Sequence, residues 1–560
     1  MNRTKTLIFI GVLASSLANA QETPPATENK GQLHGNVQAL FQNYNPDEAI
    51  GAQVPDAKAA MNTFGNFTYT YGGLTAGLRF ESYQNAILGF PNRFKGSGIG
   101  SRYVRYSADN FDITVGNFYE QFGNGLSFRT YWEPNLGIDN AMDGIRIIFK
   151  PFKGVALKTI YGQLRFDFDS RIINADGIVR GVDGEVSLNE AFVSLAEKPL
   201  KVTLGGSFTS KYQAGQTFER DSTVFTLPNN VGATTGRLGL VYKNLQFTGE
   251  YVTKINDPNA DNGYIFKKGE SIFMNAAYSK KGFGITASAK YVDNMAFRSD
   301  RDALLFDVPI NFLPAITRQH TYNLAATLYP YATVLNGEVG VSGELFYTFK
   351  KESLLGGKYG TYVSLNVAAV NSLDTIHVGG TEELINGYEV NSYGFGDTKY
   401  VRDVNLEIRK KINKSWNVNF VHYYFEFNTL VTPVTQDFKG IVYAHIDVVD
   451  IQYKIKPKHS VRMELQSLLT EQDKGNWATA LVEYTFSPHW SFAIMDQYNY
   501  GNEDPEKRVH YLYGNIGYSK GASRLMVGYG KRRAGIFCIG GVCRAVPASN
   551  GIEINLTSSF

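Results

Sequence analysis

The chain carries only two cysteines in 560 residues, Cys538 and Cys543, with eight methionines and four tryptophans. Two cysteines late in a chain this long exclude a disulfide-built scaffold. No apolar run reaches the ~20 residues that carry a helix across a bilayer, which excludes a helical membrane protein. With 55 Lys and Arg against 52 Asp and Glu, there is no basic excess to attract nucleic acid. Catalytic motifs are missing as well. The eight histidines, from His34 to His510, are scattered, and no HExxH is present. Gly340-Val341-Ser342-Gly343 brings its second glycine one residue too early for a nucleophile elbow. Leu355-Gly356-Gly357-Lys358-Tyr359 lacks the spacing and the Ser/Thr of a phosphate loop. The acidic stretches at 256–263 and 299–307 offer oxygen ligands for Ca²⁺, but they read better as solvated loop acids. No enzyme, cofactor, metal or nucleic-acid partner is expected.

What the chain has in quantity is 35 tyrosines, 37 phenylalanines and 56 glycines. It also has a recurrent alternation. In KYVRDVNLEIRKK, Val404, Leu406 and Ile408 point one way, and Asp403, Asn405, Glu407 and Arg409 the other. Val461, Met463 and Leu465 oppose Arg462, Glu464 and Gln466. Val442, Ala444, Ile446 and Val448 oppose Tyr443, His445 and Asp447. A period of two puts each set on one face of a sheet. Aliphatics on one face and charges on the other suit a wall between lipid and water.

The connections alternate in length. Gly72-Gly73, Asp109-Asn110, Lys243-Asn244, Lys456-Pro457-Lys458 and Ser487-Pro488-His489 are short turns. Between such turns lie polar stretches at 85–99, 119–143, 166–185, 212–233, 256–269, 294–318 and 533–550. Short turns at one end and long loops at the other predict a closed antiparallel transmembrane β-barrel, turns periplasmic and loops extracellular. Counting hairpins gives about 26 strands, within 24–28, with one strand poorly placed in 349–400. A propeller or a set of sandwiches would alternate too, but no blade-length repeat is present.

The ends fit the same reading. Arg3 and Lys5, an apolar run from Leu7 to Leu17 and Ala18-Asn19-Ala20 predict a signal peptide over 1–20. Residues 21–32 then form a short periplasmic linker, and 33–560 the barrel, placed in the outer membrane. Losing the signal lowers the formal charge from +3 to +1. Residues 551–560 alternate to the final Phe560, so closure should pair them with a first strand near Leu33 to Phe41. Leu556 and Phe560 are the expected handle for the barrel assembly machinery, which with outer-membrane lipid and other outer-membrane proteins makes up the expected partners.

The segment 115–147 is the most unusual. Glu120, Arg129, Glu133, Asp139, Asp143 and Arg146 are interleaved with aromatics, and a loop of this kind folded inward would set charges across a constriction. The plainer reading is that these charges pair and hold the loop to the wall. Cys538 and Cys543 flank two glycines and would close a small ring at the last long loop.

GNFYEQFGNGLSFR, and RAGIFCIGGVCRAVPASNG followed by the terminal TSSF, resemble an uncharacterised family of Bacteroidota outer-membrane barrels. The resemblance implies barrel topology and outer-membrane location, and no activity. The expectation is a solute channel restricted by inward loops; the alternative is a closed barrel that docks onto a larger secretion or assembly machine.

Overall fold

In KYVRDVNLEIRKK the side chains divide as the alternation requires. Asp403 and Asn405 are buried on the inner face. Val404 and Leu406 lie opposite the exposed Val367 and Leu365 of the neighbouring strand. Repeated around the chain, this division produces a closed wall. The computed structural model describes residues 31–560, apart from 53, 221, 432–437 and 540–541. The expected signal peptide, 1–20, and most of the expected linker lie outside the described residues.

The wall is one sheet of 24 strands, and antiparallel neighbours in sequence pair all the way round. The count is 24, at the lower end of the expected 24–28, and the short hairpins at Thr217–Thr226 and Gly535–Val546, inside expected loops, form separate two-stranded sheets off the wall. The poorly placed region holds two long strands, Thr361–His377 and Tyr388–Lys411, with several register shifts at their loop end. Those shifts erase the period of two there. The stretch 166–185 is not a loop. Strands Val155–Asp169 and Ile172–Ser187 meet across a tight turn, with Ser170 at positive φ. The loop begun at 294 is longer than expected and runs to 336.

Closure joins the two ends of the chain. Strand Gln32–Asn45 pairs with Ser549–Ser559 from Asn36↔Ser559 to Asn45↔Asn550. Gly35 and Phe560 exchange both backbone hydrogen bonds at 2.9 Å. The Phe560 ring lies 6.2 Å from Phe67, and a Cβ at Gly35 would come within 2.5 Å of it. Any side chain at residue 35 would force the terminal ring to move.

The outer face is apolar at mid-height, where Leu78, Val104, Leu204, Leu365, Leu465 and Val527 are all exposed. Aromatics crowd its turn end, with Trp416 stacked on Tyr453 at 4.3 Å and Trp490 beside Tyr518 at 4.8 Å. Tyr291 and Tyr393, 4.8 Å apart, stand at the loop end. Such girdles bracket the lipid-facing band of membrane barrels.

Candidate functional site in the barrel lumen

Loop 119–141 leaves the wall part-way up. Its flanking strands, Phe111–Phe118 and Met142–Phe149, have eight residues each, against 14 and 15 in their outer neighbours Phe94–Ser107 and Val155–Asp169. Above the departing loop those neighbours close the gap directly, through parallel pairing of Phe94 with Phe168 and Lys95 with Asp169. The loop is thereby committed to the interior. Phe122, Leu126 and Phe128 are completely buried there, and the two rings lie 5.0 Å apart.

A buried charge cluster fixes the loop to the wall. Arg165 donates to Glu81 and to Asp139, each at 2.7 Å, and to the Gly100 carbonyl at 2.9 Å. Arg79 donates to Glu81 at 2.8 Å, to the Tyr119 hydroxyl at 3.0 Å and to Asp139. Tyr119 donates to the other Asp139 oxygen at 2.8 Å. The Arg79 guanidinium lies over the Trp132 ring, 4.2 Å from its centre. Two guanidinium groups balance two carboxylates, so the cluster is buried without net charge. Burial, with the Asp139 carboxylate alongside, pushes the Tyr119 phenol well above its usual pKa, and it remains a donor.

Loop 294–336 completes the cap. Its first half packs on the first loop: Arg129 N–H donates to the Ile310 carbonyl (2.8 Å), and Phe312 N–H to the Gly125 carbonyl (2.9 Å). Met295, Phe297 and Ile310 join Phe122 and Phe128 in one apolar cluster. Its second half, with a short helix Asn323–Leu328, crosses to the opposite wall. His320 meets Asp403 at 2.7 Å. Asn419 donates to the Tyr322 hydroxyl at 2.8 Å, and that hydroxyl donates to Asp450 at 3.2 Å. Leu324 N–H donates to Gln466 at 3.0 Å, and the Tyr329 hydroxyl to Asp473 at 3.1 Å. A buried large apolar side chain contributes about 1.5–3 kcal/mol, and several are buried on each half. The capped state is therefore the stable one.

The six residues expected at a constriction do not form one ring. Asp139 belongs to the buried cluster. Glu120 takes Lys158 at 2.9 Å and Arg146 at 3.4 Å, and Arg146 also reaches Asp112 at 2.7 Å. Arg129 lies between the rings of Phe312 (4.0 Å) and Tyr131 (4.8 Å), and burial lowers its pKa. Glu133 only accepts from the backbone of Asn135. Asp143 is on the outer face, 3.3 Å from the half-exposed Arg102. Of the six, only Glu120 and Arg146 meet directly. Glu120, Arg146 and Asp139 tie the loop to the wall, and Arg129, Glu133 and Asp143 take no part in that anchoring.

Two further expectations are corrected. Val442, Ala444, Ile446 and Val448 are completely buried and face inward, whereas Tyr443 and His445 face outward. The cap supplies an apolar surface inside, which inverts the usual alternation. The acidic loop stretches are largely ion-paired rather than solvated, with Asp302 alone left exposed. Asp257 meets Lys211 at 2.8 Å, Asp261 pairs with Arg298, and Asp307 meets Arg93 at 2.6 Å. Cys538 and Cys543 stand opposite each other in the hairpin register; the Cys538 side chain lies outside the described residues.

Space remains along the closure seam. A cavity of about 470 Å³ lies between the inner face of the first and last strands and loops 85–93, 119–141 and 533–548. Toward the turn end the inner wall is polar, with Asn275, Ser288, Asn366, Glu407 and Arg462.

A model of a family described as of unknown function, DUF6029, matches residues 1–560. No curated protein matches. Among solved structures, the chain is similar to the siderophore receptor PirA from Pseudomonas aeruginosa (TM-score 0.41, 10% identity, 96% of this chain and 82% of that chain). It is similar to the P pilus usher PapC translocation pore (TM-score 0.38, 7% identity, 94% and 99%). It is also similar to the outer membrane protein OpdK from Pseudomonas aeruginosa (TM-score 0.31, 10% identity, 83% and 99%).

Proposed function

We propose, from the premise that the chain belongs to the DUF6029 family of unknown function, that it is an outer-membrane barrel passing solutes through a lumen narrowed by its own loops. The outer face supports a membrane setting. A band of exposed aliphatic side chains between aromatic rows is costly against water and favourable against lipid. Short turns then face the periplasm and long loops the exterior.

One observation carries the transport reading. The turn-end half of the lumen keeps a polar wall, while the loop-end half is occupied by loops 119–141 and 294–336 of the same chain, with a cavity left at one side. Loops of this kind convert a wide cylinder into a narrow passage. Purified protein in a planar bilayer should give steady single-channel currents. Silence from a correctly folded barrel would count against a channel.

The second reading, a closed barrel that docks onto a larger machine, is favoured by the density of the cap and by one feature of the rim. Strands Thr361–His377 and Tyr388–Lys411 are the longest in the wall and carry the exposed Ile376, Tyr393 and Phe395. Absence of current together with a stoichiometric co-purifying protein would favour this reading.

Assembly is read from the seam. Leu556 faces outward between Ala39 and Leu525 of the adjacent strands, and the Phe560 ring lies tilted beside Phe67. Phe560→Ala should lower the amount of heat-modifiable barrel in the outer membrane. Unchanged levels would remove Phe560 as the handle for the assembly machinery. Cys538 and Cys543 are proposed to be bridged; alkylation that succeeds without reductant would refute the bridge.

A further inference from the structure

The seam cavity has a chemistry of its own. Its inner wall presents amides and a hydroxyl: Gln38, Gln42, Asn62, Asn555 and Thr557. Facing them are Phe64, Ile87 and Phe90. Asn62 is only 2% exposed; its Oδ1 accepts from the Ile87 N–H at 3.3 Å, but its Nδ2 has no partner. A buried donor left unpaired costs about 1–3 kcal/mol, so this group marks a place where a ligand atom restores what folding leaves open. Gln38, Asn555 and Thr557 are half-buried and make no side-chain hydrogen bond among the described residues. Gln42 is already used, donating to Glu553 at 2.9 Å and accepting from the Tyr44 hydroxyl at 2.7 Å. Arg532, the one cation lining the cavity among the described residues, has its charge balanced by Glu553, although its Nε–H is left without a partner.

This combination selects a ligand class. An ion entering the cavity would lose hydration and find no free counter-charge. A purely apolar solute would leave the Asn62 amide unpaired. Amides both donate and accept, as hydroxyl groups do, and the phenylalanine faces suit the C–H surface of a saturated ring. The volume falls within the ~300–1,000 Å³ of small-molecule sites. We infer that the seam cavity binds a neutral polyhydroxylated solute of about disaccharide size. This rests on the channel reading for its physiological sense, though the binding itself can be measured without any transport.

The test is calorimetric titration of the detergent-purified full chain with maltose, glucose 6-phosphate and benzoate. Maltose should give saturable binding, with the two anions at least tenfold weaker, roughly the span of one to two lost hydrogen bonds. Asn62→Ala should weaken maltose by about three- to tenfold on the same basis. If Asn62→Ala loses its heat-modifiable migration, the half-buried Gln38→Ala and Asn555→Ala carry the same expectation. No saturable heat with maltose, or either anion binding as tightly, overturns the inference. Bilayer currents separate it from the channel reading. A conducting pore that maltose neither binds nor blocks ends the inference and leaves the channel. Maltose binding to a silent barrel ends the channel and leaves the site.

Discussion

Excising residues 296–334 and joining the ends through a short Gly-Ser turn should raise single-channel conductance several-fold over the parent protein. The wall tolerates this cut. Asp293 and Gly337 are register partners on adjacent strands. Beyond them the ladder continues, with Asn294 N–H donating to the Asn336 carbonyl (3.1 Å) and Met295 N–H to the Leu335 carbonyl (2.9 Å). A tight turn after Met295 therefore extends an existing hairpin. Excision removes the segment that crosses from loop 119–141 to the wall of Tyr388–Lys411 through His459–Leu469. The cost is exposure of Phe425, Phe427 and Val442 to a wet lumen, which lowers stability without breaking wall pairing. Both heat-modifiable migration and conductance should be measured. A folded variant with unchanged conductance would mean that solutes do not pass where loop 294–336 sits.

The same loop explains how much of the structure was legible. Alternation is legible at 403–409 and 461–466, where aliphatic side chains face out and polar ones face in, and both stretches fold as their pattern states, even though Asp403 and Gln466 end up buried beneath the cap. It misleads at 442–448, because the pattern shows two faces but not which is inner. A cap that buries Val442 to Val448 reverses the assignment, and the cap comes from more than a hundred residues upstream. Tight turns are legible from local residue types. The turn at Ser170 is not, because polar residues on both flanking strands look like a loop when their inward partners are unknown. The inward fold of loop 119–141 is hinted at by its aromatics. Its anchor is not, since Arg79 and Glu81 meet Asp139 and Arg165 only after five strands have been laid side by side. The missed residues carried one signal: arginine and glutamate two apart in LTAGLRFESYQ lie on the face that elsewhere is simply polar.

Arg165→Ala should destabilise the barrel's capped state by about 3–5 kcal/mol, the usual cost of removing one partner from a buried ionic cluster. Arg165 is 1% exposed and serves Glu81 and Asp139 together. Its loss leaves two buried carboxylates facing the single Arg79. Loop 119–141 contributes Asp139 and Tyr119 to the cluster, while Arg79, Glu81 and Arg165 belong to the wall. The relief available to the molecule is thus to let the loop swing Asp139 into water. Wall pairing does not depend on this cluster, so the barrel should still form, with noisy currents and new protease cuts near 120–140. Lys95→Ala is the matched control. Its pair with Asp169 at 3.2 Å is largely solvent-exposed, and exposed pairs contribute only about 0–1 kcal/mol. The measurement is the temperature at which heat-modifiable migration is lost, read beside current noise. Equal shifts for the two variants would show that the cluster is not what holds the loop. A large shift for Arg165→Ala with quiet currents would show that the apolar cluster around Phe122 and Phe128 keeps the loop in place unaided.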